Sequence, residues 1–125
     1  MLGGVGCDLV TISRMEKAAT RPGFLKRVFT EAEIAYCESR GAQKFQSLAA
    51  RYAAKEAVWK ALGTGFREGE FTDVEVTQNE LGQPSVVLKG AMQALAQQQG
   101  VTKISLSLSH EGDQAMALVV TEVER

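Results

Sequence analysis

Residues 115–120 of this chain are all apolar: Ala115, Met116, Ala117, Leu118, Val119 and Val120. No other feature limits the possible folds as much. Successive side chains of a strand point to opposite faces, so such a strand must be covered on both. The segment before it behaves differently. Residues 103–109 alternate strictly, with Ile104, Leu106 and Leu108 on one face and Ser105, Ser107 and Ser109 on the other, which reads as a half-buried strand. Glu111, Gly112, Asp113 and Gln114 between the two form the turn of an antiparallel hairpin. Helices of the same chain, near 31–39 and 90–99, are available to cover the second strand. A neighbouring subunit is the other way to cover one of its faces.

The rest of the chain supplies helices and further strands. Residues 2–10 are apolar and glycine-containing and read as a strand, and 12–19 read as a short helix ending before Arg21, Pro22 and Gly23. A helix start is written at 29–34. Thr30 is the cap, Glu33 its capping-box partner, and Phe29 can staple onto Ile34. Gly41 suits the left-handed position after that helix. A long helix over 46–62 follows. Residues 71–78 and 85–89 read as strands around a turn at Asn79, Glu80, Leu81 and Gly82, and 90–99 as a helix on Met92, Leu95 and Ala96 closed by Gly100. This order predicts the α+β class, an antiparallel sheet packed with helices, in a single domain over 1–125.

Composition narrows the function. An apolar share of 45% with 23% charged residues suits a soluble globular chain. No window approaches the ~18 apolar residues of a membrane span, and no basic stretch precedes an apolar one at the N-terminus. The expectation is a cytoplasmic protein with no membrane contact. Cys7 and Cys37 are too few for a disulfide framework and lack metal-ligand spacing, so both are read as reduced thiols. The net charge of −1 hides an asymmetry: residues 1–67 carry eleven Lys/Arg against six Asp/Glu, and residues 68–125 three against nine. A basic half suits an acidic partner or a phosphate-rich ligand, or is a solvated surface. Aromatic residues are few and not interleaved with the basic ones, which argues against nucleic acid.

The chemistry concentrates in the long helix. Leu48, Tyr52, Trp59 and Leu62 fall on one face, and Ala49, Ala53, Glu56 and Lys60 on a second. Glu56 and Lys60 are neighbours on the surface, either as an ordinary ion pair or as a carboxylate for a metal beside an ammonium for a phosphate. Lys55 lies within the apolar stripe, where its stem packs and its head reaches water, or where it joins a site. Arg51 can hold a phosphate bidentately. Gly63, Thr64 and Gly65 make a donor-rich turn beyond the helix. Asp8 ends an apolar strand, and with Glu56 it offers two hard oxygen ligands of the kind Mg²⁺ takes. His110 is the one histidine, so a multi-histidine metal site is excluded.

Three stretches together resemble the short, single-domain class of the 4′-phosphopantetheinyl transferases. Lys55-Glu56 followed by Lys60-Ala61 is similar to that family's signature. Gly4 to Asp8 with Arg14 six residues on resembles its opening, and Ser105 to His110 its closing strand. The resemblance implies the 4′-phosphopantetheinyl transferase fold and transfer of 4′-phosphopantetheine from coenzyme A to a serine of an apo-acyl carrier protein. Adenosine 3′,5′-bisphosphate is then the by-product, and the process is fatty acid biosynthesis. It implies Mg²⁺ on Asp8 and Glu56, Lys60 against the transferred phosphate, and Glu56 as general base, directly or through a metal-bound water. It assigns Ser109, His110 and a similarly placed Pro84 to the coenzyme A site, to which Arg51, Lys55, Lys60, Gly63, Thr64 and Gly65 are added as candidates. It places carrier docking at Arg14, Met15, Arg21, Phe24, Lys26 and Arg27, and it implies a homotrimer. Two alternatives stay open: a non-catalytic coenzyme A or nucleotide-binding module, and a transferase for peptidyl or polyketide carriers.

Overall fold

In chain order, strand β1 (Leu2–Thr11) leads into helix α1 (Ile12–Ala18) and the short helix α2 (Phe24–Val28), followed by α3 (Glu31–Ser39) and the long α4 (Lys44–Leu62). A hairpin of β2 (Val74–Gln78) and β3 (Pro84–Leu88), helix α5 (Gly90–Gln98) and a second hairpin of β4 (Val101–Glu111) and β5 (Gln114–Val123) complete the sequence of elements. The structure is a computed structural model and describes residues 1–63 and 69–124.

The apolar strand of the sequence is β5, and it lies in the middle of a three-stranded antiparallel sheet in the order β1-β5-β4. Its two faces meet different fates. Ala115, Ala117 and Val119 are fully buried under α4, whereas Met116 and Leu118 are exposed on the far side. The registers Cys7↔Leu118 and Leu9↔Met116 put β1 residues beside them, and Ser107 and Ser109 flank them on β4. Val5 and Leu9 are also exposed. The outer face is thus apolar along β1 and β5 and serine-lined along β4. The helices near 31–39 and 90–99 do not cover it.

The inner face can lie close to α4 because both partners are small. A methyl group at Gly6 would stand 1.9 Å from the carbonyl oxygen of Ala57, and one at Gly4 would stand 2.0 Å from that of Ala61. No side chain fits there, so backbone packs on backbone. Above and below that contact lie two apolar clusters. One joins Val58, Trp59 and Leu62 of α4 to Val74, Val76, Met92 and Val119. The other joins Leu48 and Ala49 to Ile12, Met15, Val28, Phe29 and Cys37. Most of α4 is therefore buried, and it leaves only a narrow solvent-facing strip.

Several local expectations are met. The Thr30–Glu33 capping box forms in both directions, at 3.2 and 2.9 Å, and Gly41 has a φ of 59°. Others move. Helix α4 starts at Lys44, not at 46. Residues 71–73 form a 3₁₀ turn instead of strand, because the Asp73 carboxylate accepts from the Glu70 amide at 3.0 Å and closes the turn. Helix α2 has no counterpart in the sequence pattern, since five residues are too few for a periodicity to show. The second sheet, β2 with β3, is a separate two-stranded ribbon beside β4.

Candidate active site

Strand β1 and helix α4 bring together the residues that stand 48 and 52 apart in sequence. Because Gly6 seats β1 on Ala57, the next residues, Cys7 and Asp8, reach the exposed strip of α4. There the Lys60 ammonium donates to Asp8 Oδ1 at 2.9 Å and to the Cys7 carbonyl at 3.0 Å. Lys60 thus pairs with Asp8, across the packing interface, and not with its helical neighbour Glu56. The Asp8 hydrogen bond is the main cause holding the Lys60 pKa above its ordinary value. Glu56 is half-buried, and its carboxyl is pushed up to about 7, first by loss of solvent and then by the negative charge of Asp8. Two carboxylates close enough to oppose each other's charge form a donor pair that suits one hard cation. No group of three or more His, Cys, Asp or Glu side chains suited to a metal occurs among the described residues. The fit is therefore to an ion that takes two protein carboxylates and draws its other ligands from water or a phosphate, as Mg²⁺ does.

Glu56 opens into a cleft of about 440 Å³. Its other walls are Leu9 and Val10 of β1, Arg14, Met15 and Ala18 of α1, then Arg21, Phe24 and Tyr52. Four of the six docking candidates therefore share a cleft with the carboxylate. Arg14 and Arg21 are exposed, the Arg21 guanidinium lies 5.9 Å from the centre of the Phe24 ring, and Met15 is a core residue that contributes its edge. Lys26 and Arg27 line a separate hollow with Glu70, Phe71 and Thr72. Tyr52 also lines the cleft, and its position one turn before Glu56 is the signal in the sequence that points to it. Burial and the Glu56 carboxylate both raise its phenol pKa, and its ring stacks on Phe71 at 5.4 Å.

Lys55 belongs neither to water nor to this cleft. Its side chain is fully buried. The ammonium donates to Glu33 Oε1 at 2.8 Å, to the Phe71 carbonyl at 3.0 Å and to the Val74 carbonyl. With those three donors engaged, none is left for a ligand. Burial lowers its pKa while Glu33 opposes the shift. Glu33 in turn accepts from the Thr30 and Val76 amides, so one buried ion pair ties α3, α4 and β2 together.

The remaining candidates gather elsewhere. A cavity of about 460 Å³ is lined by Arg40, Arg51, Pro84, Ser109 and His110, among others. Among the described residues it shares no lining residue with the Glu56 cleft. Arg51 is nearly buried, lies 4.4 Å over the Tyr36 ring and donates to Gln78 Oε1 at 2.7 Å. Its Nε is buried without a hydrogen-bond partner among the described residues, which suits an acceptor such as a phosphate oxygen. Tyr36, Arg40 and Gln78 had no signal in the sequence, since only the fold brings them to Arg51. Gly63 closes α4 in the left-handed conformation. Thr64 and Gly65 lie outside the described residues.

A central helix under a three-stranded sheet is an arrangement shared with known proteins. Residues 4–119 match the 4′-phosphopantetheinyl transferase superfamily. A holo-acyl-carrier-protein synthase of Desulforudis audaxviator is 48% identical over 122 residues, 96% of this chain and 92% of that one. The crystal structure of the Neisseria meningitidis holo-acyl-carrier-protein synthase superposes with a TM-score of 0.87 at 34% identity, over 98% of this chain and 99% of the other. That of Helicobacter pylori, solved in complex with coenzyme A, superposes at 0.82 and 31%, over 94% and 99%. The chain belongs to the 4′-phosphopantetheinyl transferase superfamily, among its holo-acyl-carrier-protein synthases. It is an enzyme of the transferase class, which removes the alternative of a binding module.

Proposed function

We propose that residues 1–125 act as one domain that transfers 4′-phosphopantetheine from coenzyme A to a serine of apo-acyl carrier protein, in the service of fatty acid synthesis in the cytoplasm. The observation that carries this reading is the cleft in which Glu56 stands beside Arg14, Arg21 and Phe24. A basic and apolar surface for an acidic protein there adjoins a carboxylate able to act on its serine. No described helix is long and apolar enough to cross a membrane.

The chain's own groups have distinct tasks. The serine hydroxyl attacks the β-phosphorus of coenzyme A, the bond from that phosphorus to the bridging oxygen breaks, and adenosine 3′,5′-bisphosphate leaves. Glu56 receives the hydroxyl proton, directly or by way of a water. Lys60, held against β1 by Asp8 and the Cys7 carbonyl, offsets charge on the transferred phosphate. Asp8 and Glu56 would hold Mg²⁺, whose contribution when bound is to polarise the pyrophosphate. Arg51, Ser109, His110 and Pro84 receive the nucleotide end of coenzyme A, with the unpartnered Arg51 Nε as a phosphate donor.

Two observations support a homotrimer. The outer sheet face is apolar and uncovered, with Leu9 63% and Leu118 41% exposed. The carboxylate cleft and the Arg51 cavity are also separate within one chain. A cyclic assembly joins two different surfaces of neighbouring copies, so it can bring one chain's carboxylates to another's nucleotide pocket.

One measurement tests the reading. Protein, coenzyme A, Mg²⁺ and an apo-acyl carrier protein are mixed, and the carrier gains ~340 Da if the transfer chemistry proposed here operates. Chelator stops the gain, and Mg²⁺ restores it. An unmodified carrier would overturn the function, and full modification in excess chelator would remove the metal from it. A fully active monomer in light scattering would end the trimer.

A further inference from the structure

Helix α1 carries Arg14 and the edge of Met15 into the cleft, yet its first turn has no cap from its own neighbourhood. It is seven residues long, too short to be stable alone. Its cap residue, Thr11, makes no side-chain hydrogen bond to the helix. The first turn is instead secured from the opposite end of the chain. Asp113, in the β4–β5 turn, accepts from the Ser13 amide through Oδ1 at 2.9 Å and from the Ser13 hydroxyl through Oδ2 at 2.6 Å. Its backbone carbonyl accepts from the Ile12 amide at 2.8 Å. These three bonds satisfy two of the free amides that open every helix, and the carboxylate meets the positive end of the backbone dipole. Asp113 acts as a cap supplied from 100 residues away.

The cap fixes more than a helix end. Ser13 is followed directly by Arg14, so the direction of the first turn sets where that guanidinium stands relative to Glu56. Ile12, Met15 and Ala18 bury one side of α1 in the core, which fixes which side faces in. The Asp113 bonds fix where the helix begins along that side. Resting on the carrier-docking reading above, we infer that Asp113 is a positioning residue for the carrier protein, holding α1 in its docking orientation without touching either substrate.

The test is steady-state transfer by the full-length enzyme, with apo-acyl carrier protein as the varied substrate. Asp113→Ala is expected to raise the carrier KM by about five- to tenfold, the loss of a charge-assisted bond pair. The coenzyme A KM and the rate at saturating carrier stay as in the wild type. Asp113→Asn, whose amide oxygen still accepts from the Ser13 amide, recovers most of the loss. Hydrogen exchange at the Ser13 amide quickens in Asp113→Ala and not in Asp113→Asn. A role in stability alone would shift the melting temperature and leave the KM for carrier unmoved. Arg14→Glu separates the two readings. If it raises the carrier KM while Asp113→Ala does not, the positioning role is overturned and the docking surface stands. If neither variant changes that KM, docking lies elsewhere and the inference falls with it.

Discussion

Lys55 and Lys60 stand five residues apart on one helix and belong to the same sequence motif, but the fold gives them opposite surroundings. The Lys55 side chain is 0% exposed, with Glu33 and two backbone carbonyls around its ammonium. That of Lys60 is 52% exposed, against Asp8 and the Cys7 carbonyl. Five residues turn the helix by about 140°, from the β2 side to the β1 side. A lysine with every donor engaged in the interior can only hold the structure. A lysine at the surface beside two carboxylates can exchange a partner for a ligand. On the proposed function the motif therefore divides into a structural half and a chemical half, with Glu56 next to the first and working with the second.

The sharpest way to break that division is at Lys55. Lys55→Met keeps the stem and removes the charge, leaving the Glu33 carboxylate and the Phe71 and Val74 carbonyls without their donor. Breaking a buried pair from one side costs about 3–5 kcal/mol, read as a lower midpoint in denaturant unfolding. Residual folded protein keeps its coenzyme A affinity. Unchanged stability with lost affinity would move Lys55 back to the ligand and erase the contrast.

Lys60→Ala is the complementary cut, with a somewhat smaller expected effect. Its ion pair with Asp8 is at the surface, where such pairs add little stability, so the melting temperature stays near that of the wild type. Transfer falls about 10²–10³-fold, the usual loss when one group offsetting charge in the transition state is removed. The test is a rate measurement at saturating Mg²⁺ and coenzyme A. A variant that melts early but retains its rate would make Lys60 a structural residue like Lys55.

This division also marks what could be read from the chain alone. Most of the strands, the capping box at Thr30 and Glu33, and the apolar run of β5 are local patterns, and local patterns survive in a single sequence. Asp8, Glu56 and Lys60 stood out as candidates because three motifs agreed in order and spacing, and the fold brings them to one place. The pairings were not. Lys60 sits one helical turn from Glu56, and spacing favours that pair, but the approach allowed by Gly6 puts Asp8 closer. Glu33 was legible as a helix cap and hidden as the counter-ion of Lys55, because that pairing depends on how α3 crosses α4. The Asp113–Ser13 bond, between opposite ends of the chain, leaves no trace in either local sequence.

The smallest effect, and a direct view of the dry side, comes from the cysteines. Cys37 is buried in the cluster beside Leu48 and Ala49, while Cys7 is exposed on the outer sheet face. Burial is the main cause that pushes the Cys37 thiol up from 9.0 to about 11, against the pull of the Arg51 charge. The unfolded chain therefore releases this proton before the native one does. Its contribution to stability is level below pH 9 and turns against the fold as the pH rises from 9 towards 11. At pH 8 a thiol reagent should spare Cys37 in the native protein, since reaction needs an accessible thiolate. In Lys55→Met, where the neighbouring ion pair is broken, Cys37 should become reactive at a rate set by local opening, followed by mass spectrometry of the labelled chain. Ready labelling of Cys37 in the native wild type would mean that water already reaches the surroundings of Lys55, and the two lysines would then differ in degree and not in kind.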